Sequence, residues 1–122
     1  MNPSQTTYSA VLGVVLANQR QLKGLEQGEM AARMGLSQPS YSRLETGAST
    51  FSVDQMYQAA NALGVSGEEI TNTLNSYIAN LRVNGTEVLL LPRGTKKDES
   101  SVGAMVLGAA LGALIMSIAG RK

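Results

Sequence analysis

Apolar residues recur at intervals of three and four along the first two thirds of the chain, and small or turn-forming residues separate the runs. Residues at these intervals share one face of a helix, so the pattern predicts amphipathic helices. Five such helices are predicted, closely spaced along the chain. They cover about residues 7–22, 27–34, 37–47, 52–64 and 66–81.

The third predicted helix is short and has clear signals at both ends. Ser37 is a good N-terminal cap, and Pro39 is tolerated in a first turn, where backbone N–H groups have no intrahelical partner. Gly47 suits the left-handed conformation just past a helix end. In the fourth helix, Ser52 and Gln55 have the spacing of a capping box. The polar face of so short a third helix is either plain solvated surface or a surface that reads a partner.

The pattern changes after the fifth helix. The segment over residues 86–92 is short, is β-forming at Val88 and ends at a proline, which predicts a strand or an extended segment. Residues 93–101 are polar and of mixed charge, as in a flexible linker. The apolar stripe of the fifth helix, from Ile70 to Leu81, is long for so small a core. We expect its distal half to pack on a partner chain.

Residues 102–119 form an apolar run of 18 residues without a charge. As a helix, this run would span about 27 Å, close to the roughly 30 Å of a bilayer core. Ala104, Gly108 and Gly112 recur within it at four-residue spacing, which lets helix backbones approach closely. The first interpretation is a transmembrane helix that self-associates through these small residues. The alternative is a helix buried in a soluble homo-oligomer, where the same spacing also gives close helix contact.

The composition argues against catalysis. The chain contains no cysteine and no histidine. It therefore has no disulfide framework and no thiolate, and it lacks the residue that most often serves as a general base or metal ligand. The sequence has no phosphate-binding loop and no dinucleotide-binding glycine motif. We expect a protein that is not an enzyme, with no catalytic residue, metal site, cofactor or small-molecule ligand.

The formal net charge of +1 is unevenly distributed. Residues 1–80 carry four basic and six acidic side chains, for a net charge of −2. Residues 81–122 carry six basic and three acidic side chains, for a net charge of +3. A nucleic-acid-binding domain usually has a basic surface. The first segment does not, which counts against nucleic-acid binding by that segment.

The stretch KGLEQGEMAARMGLSQPSYSRLETG, followed by TFSVDQMYQAANALGVS, resembles the phage-repressor/Cro-like (XRE) family of helix-turn-helix domains. The resemblance extends over about residues 12–70. It implies an all-α, five-helix fold of the Cro/C1 type and a DNA-binding domain in residues 1–82. An extended segment and polar linker would follow in residues 83–101, and the apolar helix in residues 102–119.

The resemblance also implies roles for individual side chains. Glutamine can pair bidentately with adenine and arginine with guanine, so both residue types suit a helix in the major groove. The base-reading positions implied by the family are Gln38, Pro39 and Arg43. The side chains placed to contact DNA phosphates are Gln27, Ser40 and Ser42.

A second set of positions has a structural role in the family. Arg20 and Glu45 occupy places where the family commonly has an arginine–glutamate pair that joins the first and third helices. Tyr41 and Leu44 are expected to point into the core.

The predicted function is transcriptional regulation through sequence-specific binding of double-stranded DNA, as a repressor that acts as a dimer or a higher oligomer. The DNA-binding domain would lie in the cytoplasm, tail-anchored to the inner membrane through residues 102–119; the alternative is a fully cytoplasmic protein. The rival interpretation is a membrane-anchored helix-turn-helix module that binds a protein partner. Glu26 and Glu29 place negative charge near the expected phosphate backbone, which either weakens DNA binding or indicates a domain that binds a protein partner instead. Because the domain is net acidic, we expect modest affinity per subunit and reliance on multivalency.

Overall fold

The structure is a computed structural model that describes residues 4–90 and 105–119, and these residues form six helices and a two-stranded parallel sheet. The elements in chain order are β1 (Ser4–Thr7), α1 (Tyr8–Leu22), α2 (Gln27–Arg33), α3 (Gln38–Thr46), α4 (Val53–Leu63), α5 (Gly67–Val83), β2 (Thr86–Leu89) and α6 (Gly108–Ala119). The five helices predicted from hydrophobic spacing are present as α1 to α5, with ends within two residues of those expected.

The ends of α3 and α4 are fixed by the side chains that the sequence indicated. The Ser37 hydroxyl accepts a hydrogen bond from the backbone N–H of Ser40 at 3.2 Å. Gly47 ends α3 in the left-handed conformation, with φ of 84°. Ser52 and Gln55 form the reciprocal capping box, with both N–H···O distances at 3.0 Å. Each of these bonds satisfies a backbone group that a helix end leaves without an intrahelical partner.

The main hydrophobic core lies among α1 to α5. Its largest fully buried side chains are Tyr41, Leu16, Met30 and Ile70. Gly13 allows α1 to cross α3 at close range, because a Cβ at this position would overlap the backbone carbonyl oxygens of α3. This close crossing positions the C-terminal end of α3 beside α1.

The N-terminal strand β1 was not expected from the sequence. Its residues pair in parallel with those of β2, from Ser4 opposite Thr86 to Thr7 opposite Leu89. The stretch SQTT has no alternation of apolar and polar residues, so only its pairing with a distant segment identifies it as a strand. The extended segment predicted over residues 86–92 corresponds to β2 and Leu90, and its last two residues lie outside the described ones.

A second hydrophobic core is closed by α6. Leu111 and Ile115 of α6 are buried in it, together with side chains of α1, α5 and β2. The distal stripe of α5 contributes Ile78 and Leu81. The expectation that this stripe packs on a partner chain was therefore wrong, because the C-terminal segment of the same chain covers it.

The structure does not support a transmembrane helix. No helix within residues 4–90 and 105–119 is long and apolar enough to cross a bilayer. The 12-residue α6 spans about 18 Å. It begins at Gly108 rather than at residue 102, and before it Met105 pairs with Gln5 in a parallel bridge. The apolar character of the run has a physical explanation within this chain, since the inner face of α6 fills the second core.

The small residues proposed for helix self-association have different surroundings. Ala104 lies outside the described residues, as does the predicted linker over residues 93–101. A Cβ at Gly108 would lie 3.7 Å from Cβ of Thr46, so this glycine faces α3 of its own chain. Gly112 has open space where a Cβ would be. Self-association through these positions stays a prediction.

Candidate nucleic-acid interface

The helix pair α2 and α3 presents one polar face to solvent. Gln38, Pro39 and Arg43 are exposed along α3, whereas Tyr41 and Leu44 of the same helix are buried in the core. This division follows from the helical period, because residues three and four apart share a side of the helix. The structure therefore brings the three residues predicted to read bases onto a single accessible surface.

Gln27 connects this surface to the interior. The Nε2 amide of Gln38 donates to Oε1 of Gln27 at 3.0 Å, across the turn between α2 and α3. The Nε2 amide of Gln27 in turn donates to Oε1 of Glu45 at 2.9 Å. One amide thus links the exposed start of α3 to a buried carboxylate at its other end, and this link holds Gln38 in a defined orientation.

Arg20 and Glu45 form an ion pair between α1 and α3. The distance from Nε of Arg20 to Oε2 of Glu45 is 2.7 Å, and that from Nη2 to Oε1 is 3.2 Å. The side chains are 11% and 6% exposed, so most of the pair is shielded from water. Arg20 also donates through Nη1 to the carbonyl oxygen of Leu25 at 2.8 Å, and Tyr41 donates its hydroxyl to Oε2 of Glu45 at 2.5 Å. With the amide of Gln27, four donors from three side chains therefore converge on one carboxylate.

The pKa values of two groups in this cluster are raised by their surroundings. The hydrogen bond to Glu45 raises the pKa of Arg20, and burial opposes this effect. Burial raises the pKa of the Tyr41 hydroxyl well above its ordinary value, and the hydrogen bond to Glu45 adds to the shift. Both effects keep the Arg20 guanidinium and the Tyr41 hydroxyl protonated, so that each can donate a hydrogen bond to the carboxylate of Glu45.

The raised pKa of Tyr41 leads to a pH prediction. Above about pH 10 the tyrosine of the unfolded chain loses its proton while the folded chain retains it, so stability is complete below that pH and falls as the pH rises. We expect the free energy of unfolding to fall by up to about 1.4 kcal/mol per pH unit between pH 10 and 11 because of this residue. Urea unfolding at pH 9, 10 and 11 measures the slope.

The control for this prediction is Tyr41→Phe, which removes the titrating group. The variant starts from a lower stability because Glu45 loses one donor, but its slope above pH 10 should be smaller than that of the wild type. Equal slopes in the two proteins would show that Tyr41 does not titrate differently on folding.

The remaining residues predicted to contact DNA differ in their hydrogen bonds and in their exposure to solvent. Nη2 of Arg43 donates to Oγ of Ser40 at 3.3 Å, and Oγ of Ser37 donates to the same oxygen at 2.9 Å. Arg43 therefore lies back along α3, held by a weak exposed contact that a stronger partner can replace. Ser42 is half-buried on the flank of the same helix.

Two features of this site were not inferred from the sequence. One is the double role of Gln27, which was expected only to contact a phosphate. The other is the Tyr41 hydroxyl, which was expected only as part of a core side chain. The spacing of Tyr41 and Glu45 offered a signal for the second feature, because residues four apart on a helix are neighbours. No comparable signal connects Gln27 with Gln38.

Comparisons with known proteins find helix-turn-helix relatives of this chain. A family model described as helix-turn-helix matches residues 16–70. An uncharacterized HTH-type transcriptional regulator, y4dJ of Sinorhizobium fredii, is 43% identical over 60 residues, which are 49% of this chain and 78% of that protein.

Solved structures also share the fold. The clp gene regulator ClgR from Corynebacterium glutamicum is similar with a TM-score of 0.60 and 25% identity, over 63% of this chain and 82% of that one. The wild-type restriction-modification controller protein C.Esp1396I shares the fold with a TM-score of 0.54 and 19% identity, over 57% of this chain and 90% of that one. The fold is shared with these structures, and the relative and the family match identify the chain as a member of the XRE-type helix-turn-helix family.

Proposed function

We propose that this protein is a DNA-binding transcriptional regulator that reads double-stranded DNA with α3. The observation that carries the proposal is the exposed Gln38, which α3 presents beside Arg43 and which Gln27 holds in place through a hydrogen bond of 3.0 Å. The relatives support it, because y4dJ is named as an HTH-type transcriptional regulator and ClgR as a clp gene regulator.

The hydrogen bonds of Gln38 are compatible with base reading. Its amide nitrogen carries two hydrogens and donates one of them to Gln27, so one N–H and the side-chain oxygen remain available. Adenine presents N7 as an acceptor and N6 as a donor in the major groove, which is the complementary pair. Gln38 can therefore bind adenine bidentately without breaking its bond to Gln27.

Arg43 supplies a second reading position. Its contact with Ser40 is exposed and long at 3.3 Å, so exchanging it for O6 and N7 of guanine is favourable. Released from Arg43, the Ser40 hydroxyl can donate to a phosphate, and Ser42 is placed to do the same from the flank of α3. Pro39 has no N–H donor and would make apolar contact with a thymine methyl group.

Gln27 acts as a phosphate contact and as a support for Gln38. Its amide donates one hydrogen to Glu45, which leaves the second hydrogen for a phosphate oxygen. A phosphate contact carries no sequence information and positions the protein on the duplex. Gln27 therefore couples the position of the protein on the backbone to the orientation of a base-reading side chain.

Three alanine variants test the proposal, once a preferred DNA sequence has been selected from a random library. We expect Gln38→Ala and Arg43→Ala each to lose about 1–3 kcal/mol of discrimination at one base pair. Gln27→Ala should weaken binding to every sequence and also loosen selection at the base read by Gln38. Gln58→Ala, an exposed amide on α4, is the control and should bind like the wild type.

A double-mutant cycle makes the test sharper. If Gln27 orients Gln38, the combined loss in Gln27→Ala/Gln38→Ala is smaller than the sum of the two single losses, measured as binding free energies at one salt concentration. Unchanged base selection in both Gln38→Ala and Arg43→Ala, with the fold intact, would contradict the proposal.

The repressor role and the oligomer belong to the same proposal. Residues 1–80 have a net charge of −2, so electrostatic attraction to DNA is weak for one subunit. Two linked subunits that bind two half-sites raise the overall affinity without new contacts. A dimer that occupies a promoter in the cytoplasm would block access to it, which is the simplest form of repression.

The surface of α3 favours DNA over a protein partner. Protein-binding surfaces are enriched in exposed aromatic and large apolar side chains at their centres. Among the described residues, the exposed large apolar side chains lie on α1, α4, α5 and α6 and just after β2, and none lies on α3. The residues that α3 exposes are polar or proline, as base and phosphate contacts require.

A further inference from the structure

The outer edge of the small sheet is open. β1 is flanked on both sides, by β2 and by Met105, which pairs with Gln5. Within residues 4–90 and 105–119, β2 pairs with β1 alone. A strand at the edge of a sheet has a row of unpaired backbone groups that can pair with another chain.

The register shows which backbone groups face outward. The carbonyl oxygen of Gln5 accepts a hydrogen bond from the N–H of Val106 at 2.8 Å, so Gln5 faces away from β2 and Thr6 faces toward it. Because Thr6 lies opposite Val88 in a parallel ladder, it bonds to the residues on either side, Glu87 and Leu89. The N–H and C=O groups of Val88 therefore face outward, as do those at positions 86 and 90.

A depression opens beside this edge, where Thr86 and Val88 bury their side chains and are only 5% and 7% exposed. The depression has a volume of about 340 Å³ and is lined by Arg82 and residues 85–89. All of these residues belong to the end of α5, the turn after it, and β2 itself. No other part of the described chain lines the depression, so an additional strand could approach β2 from this side.

Two exposed apolar side chains flank the strand. Val83 precedes β2 and is 85% exposed, and Leu90 follows it and is 78% exposed. If a strand from a second copy ran parallel to β2, Leu90 of one copy would lie at the same end of the pair as Leu90 of the other. An antiparallel strand places Leu90 of one copy beside the start of β2 of the other, which is the end of the strand that follows Val83.

We propose that β2 is the contact between two copies of this chain, paired antiparallel with Val88 opposite Val88 of the second copy. This register pairs all three outward-facing positions, since residue 86 lies opposite residue 90. Moving it by one pair in one direction sets Glu87 opposite Glu87, and like charges directly opposite are unfavourable. Moving it in the other direction sets residue 86 opposite Pro92, which has no N–H to donate.

The inference deepens the proposed function, because it rests on the dimer in that proposal and names the surface that forms it. The two β1–β2 sheets become one continuous four-stranded sheet around a twofold axis. A twofold dimer presents its two α3 helices to two half-sites of a palindromic DNA sequence.

Amide hydrogen exchange at several protein concentrations is the first test, performed on the full chain without DNA. We expect the N–H of Val88 to be protected at high concentration and to lose that protection on dilution, in step with the dimer fraction seen by sedimentation. Protection that does not depend on concentration would overturn the proposal, because residues of the same chain would then cover the edge. Absence of protection in a dimeric sample would overturn it too.

Lysine substitutions at the flanking apolar positions form the second test. A lysine on or next to an edge strand opposes pairing with another chain, and both positions are exposed, so the fold is expected to be retained. Val83→Lys and Leu90→Lys should each raise the dimer dissociation constant by about tenfold or more. Leu22→Lys, at a similarly exposed leucine on α1, is the matched control and should leave it unchanged. Equal dissociation constants in all four proteins would overturn the proposal.

The absence of cysteine in the chain allows a test of the register. In the proposed pairing Glu87 lies opposite Leu89 of the second copy, so Glu87→Cys/Leu89→Cys should form a disulfide-linked dimer under mild oxidation. Glu68→Cys/Asn72→Cys, on the exposed face of α5, should remain monomeric on a denaturing gel. A linked dimer in neither variant, from a protein that sediments as a dimer, would overturn the register.

These experiments separate the inference from the proposed function. Binding of a single DNA half-site needs one subunit with an intact α3, and it does not depend on β2. If the edge variants stay dimeric while half-site binding is normal, the contact is wrong and the function stands. If half-site binding is absent while the dimer behaves as expected, the function is wrong and the contact stands.

Discussion

Replacing Glu45 with alanine is expected to lower the free energy of unfolding by about 3–5 kcal/mol, the largest effect we expect from a single polar side chain in this protein. The reason is the number of donors that depend on it. Arg20 contacts both carboxylate oxygens, and the side chains of Gln27 and Tyr41 each donate to one of them. Without Glu45 the Arg20 charge is left without its partner at a site shielded from water.

The variants Glu45→Gln and Glu68→Gln make the test specific. Glu45→Gln keeps the shape of the side chain and removes its charge, so it should recover only part of the loss. Glu68→Gln removes an exposed carboxylate in the first turn of α5, where the expected change is about 0.3–1 kcal/mol. Urea unfolding at pH 7 measures all three. A loss below about 1 kcal/mol in Glu45→Ala would show that the pair behaves like an exposed salt bridge.

The same variant is expected to affect DNA recognition. Gln27 donates to Glu45 and accepts from Gln38, so loss of the carboxylate frees Gln27 to rotate. Base selection at the position read by Gln38 should then loosen in the fraction of protein that remains folded. This outcome would connect the stability of the ion pair to the accuracy of the recognition helix.

The helices could be predicted from the sequence because their signals are local. Ser37 and Gly47 fix the ends of α3, and the three- and four-residue spacing of apolar side chains shows which face is buried. The positions of Arg20 and Glu45 were assigned through the family resemblance. The distance of 2.7 Å between Nε of Arg20 and Oε2 of Glu45 depends on the close crossing of α1 and α3 at Gly13, which the sequence did not indicate.

The strand β1, its pairing with β2 and the position of α6 could not be predicted, because they depend on contacts between residues far apart in the chain. Ser4 pairs with Thr86, and neither four-residue strand has a pattern strong enough to indicate its partner. The apolar run over residues 102–119 was ambiguous for a different reason. Hydropathy reports how strongly a segment avoids water, and that quantity is the same for a segment that enters a bilayer and one that covers a core.

The candidate interface was predictable only in part. The outward face of α3 follows from helical period and burial, so Gln38 and Arg43 could be placed on it. The hydrogen bonds of Gln27 depend on side-chain orientations across the turn between α2 and α3, which a pattern of residue types does not specify. The sequence therefore indicates which side chains face outward, and the structure shows which of them are fixed in orientation by hydrogen bonds to neighbouring side chains.

The second large effect is expected at Leu111 of α6. This side chain is fully buried in the second core, beside side chains of α1 and α5. Leu111→Ala should lower the free energy of unfolding by about 2–5 kcal/mol, through lost burial and the cavity that remains. Met116→Ala on the same helix is the matched control. Met116 is 50% exposed, so its truncation should have a much smaller effect.

The two interpretations of the apolar segment predict different results for this pair of variants. If α6 covers the second core, Leu111→Ala destabilises the whole domain in the absence of detergent, and Met116→Ala does so only weakly. A segment that lay in a membrane would leave the unfolding of the helix-turn-helix domain unchanged in both variants. The docked position also brings Leu107, just before α6, within 3.3 Å of where a Cβ would lie at Gly47, at the end of α3. Loosening of α6 is therefore expected to reach the recognition helix, and Leu111→Ala should weaken DNA binding although α6 itself lies outside the proposed DNA-reading surface.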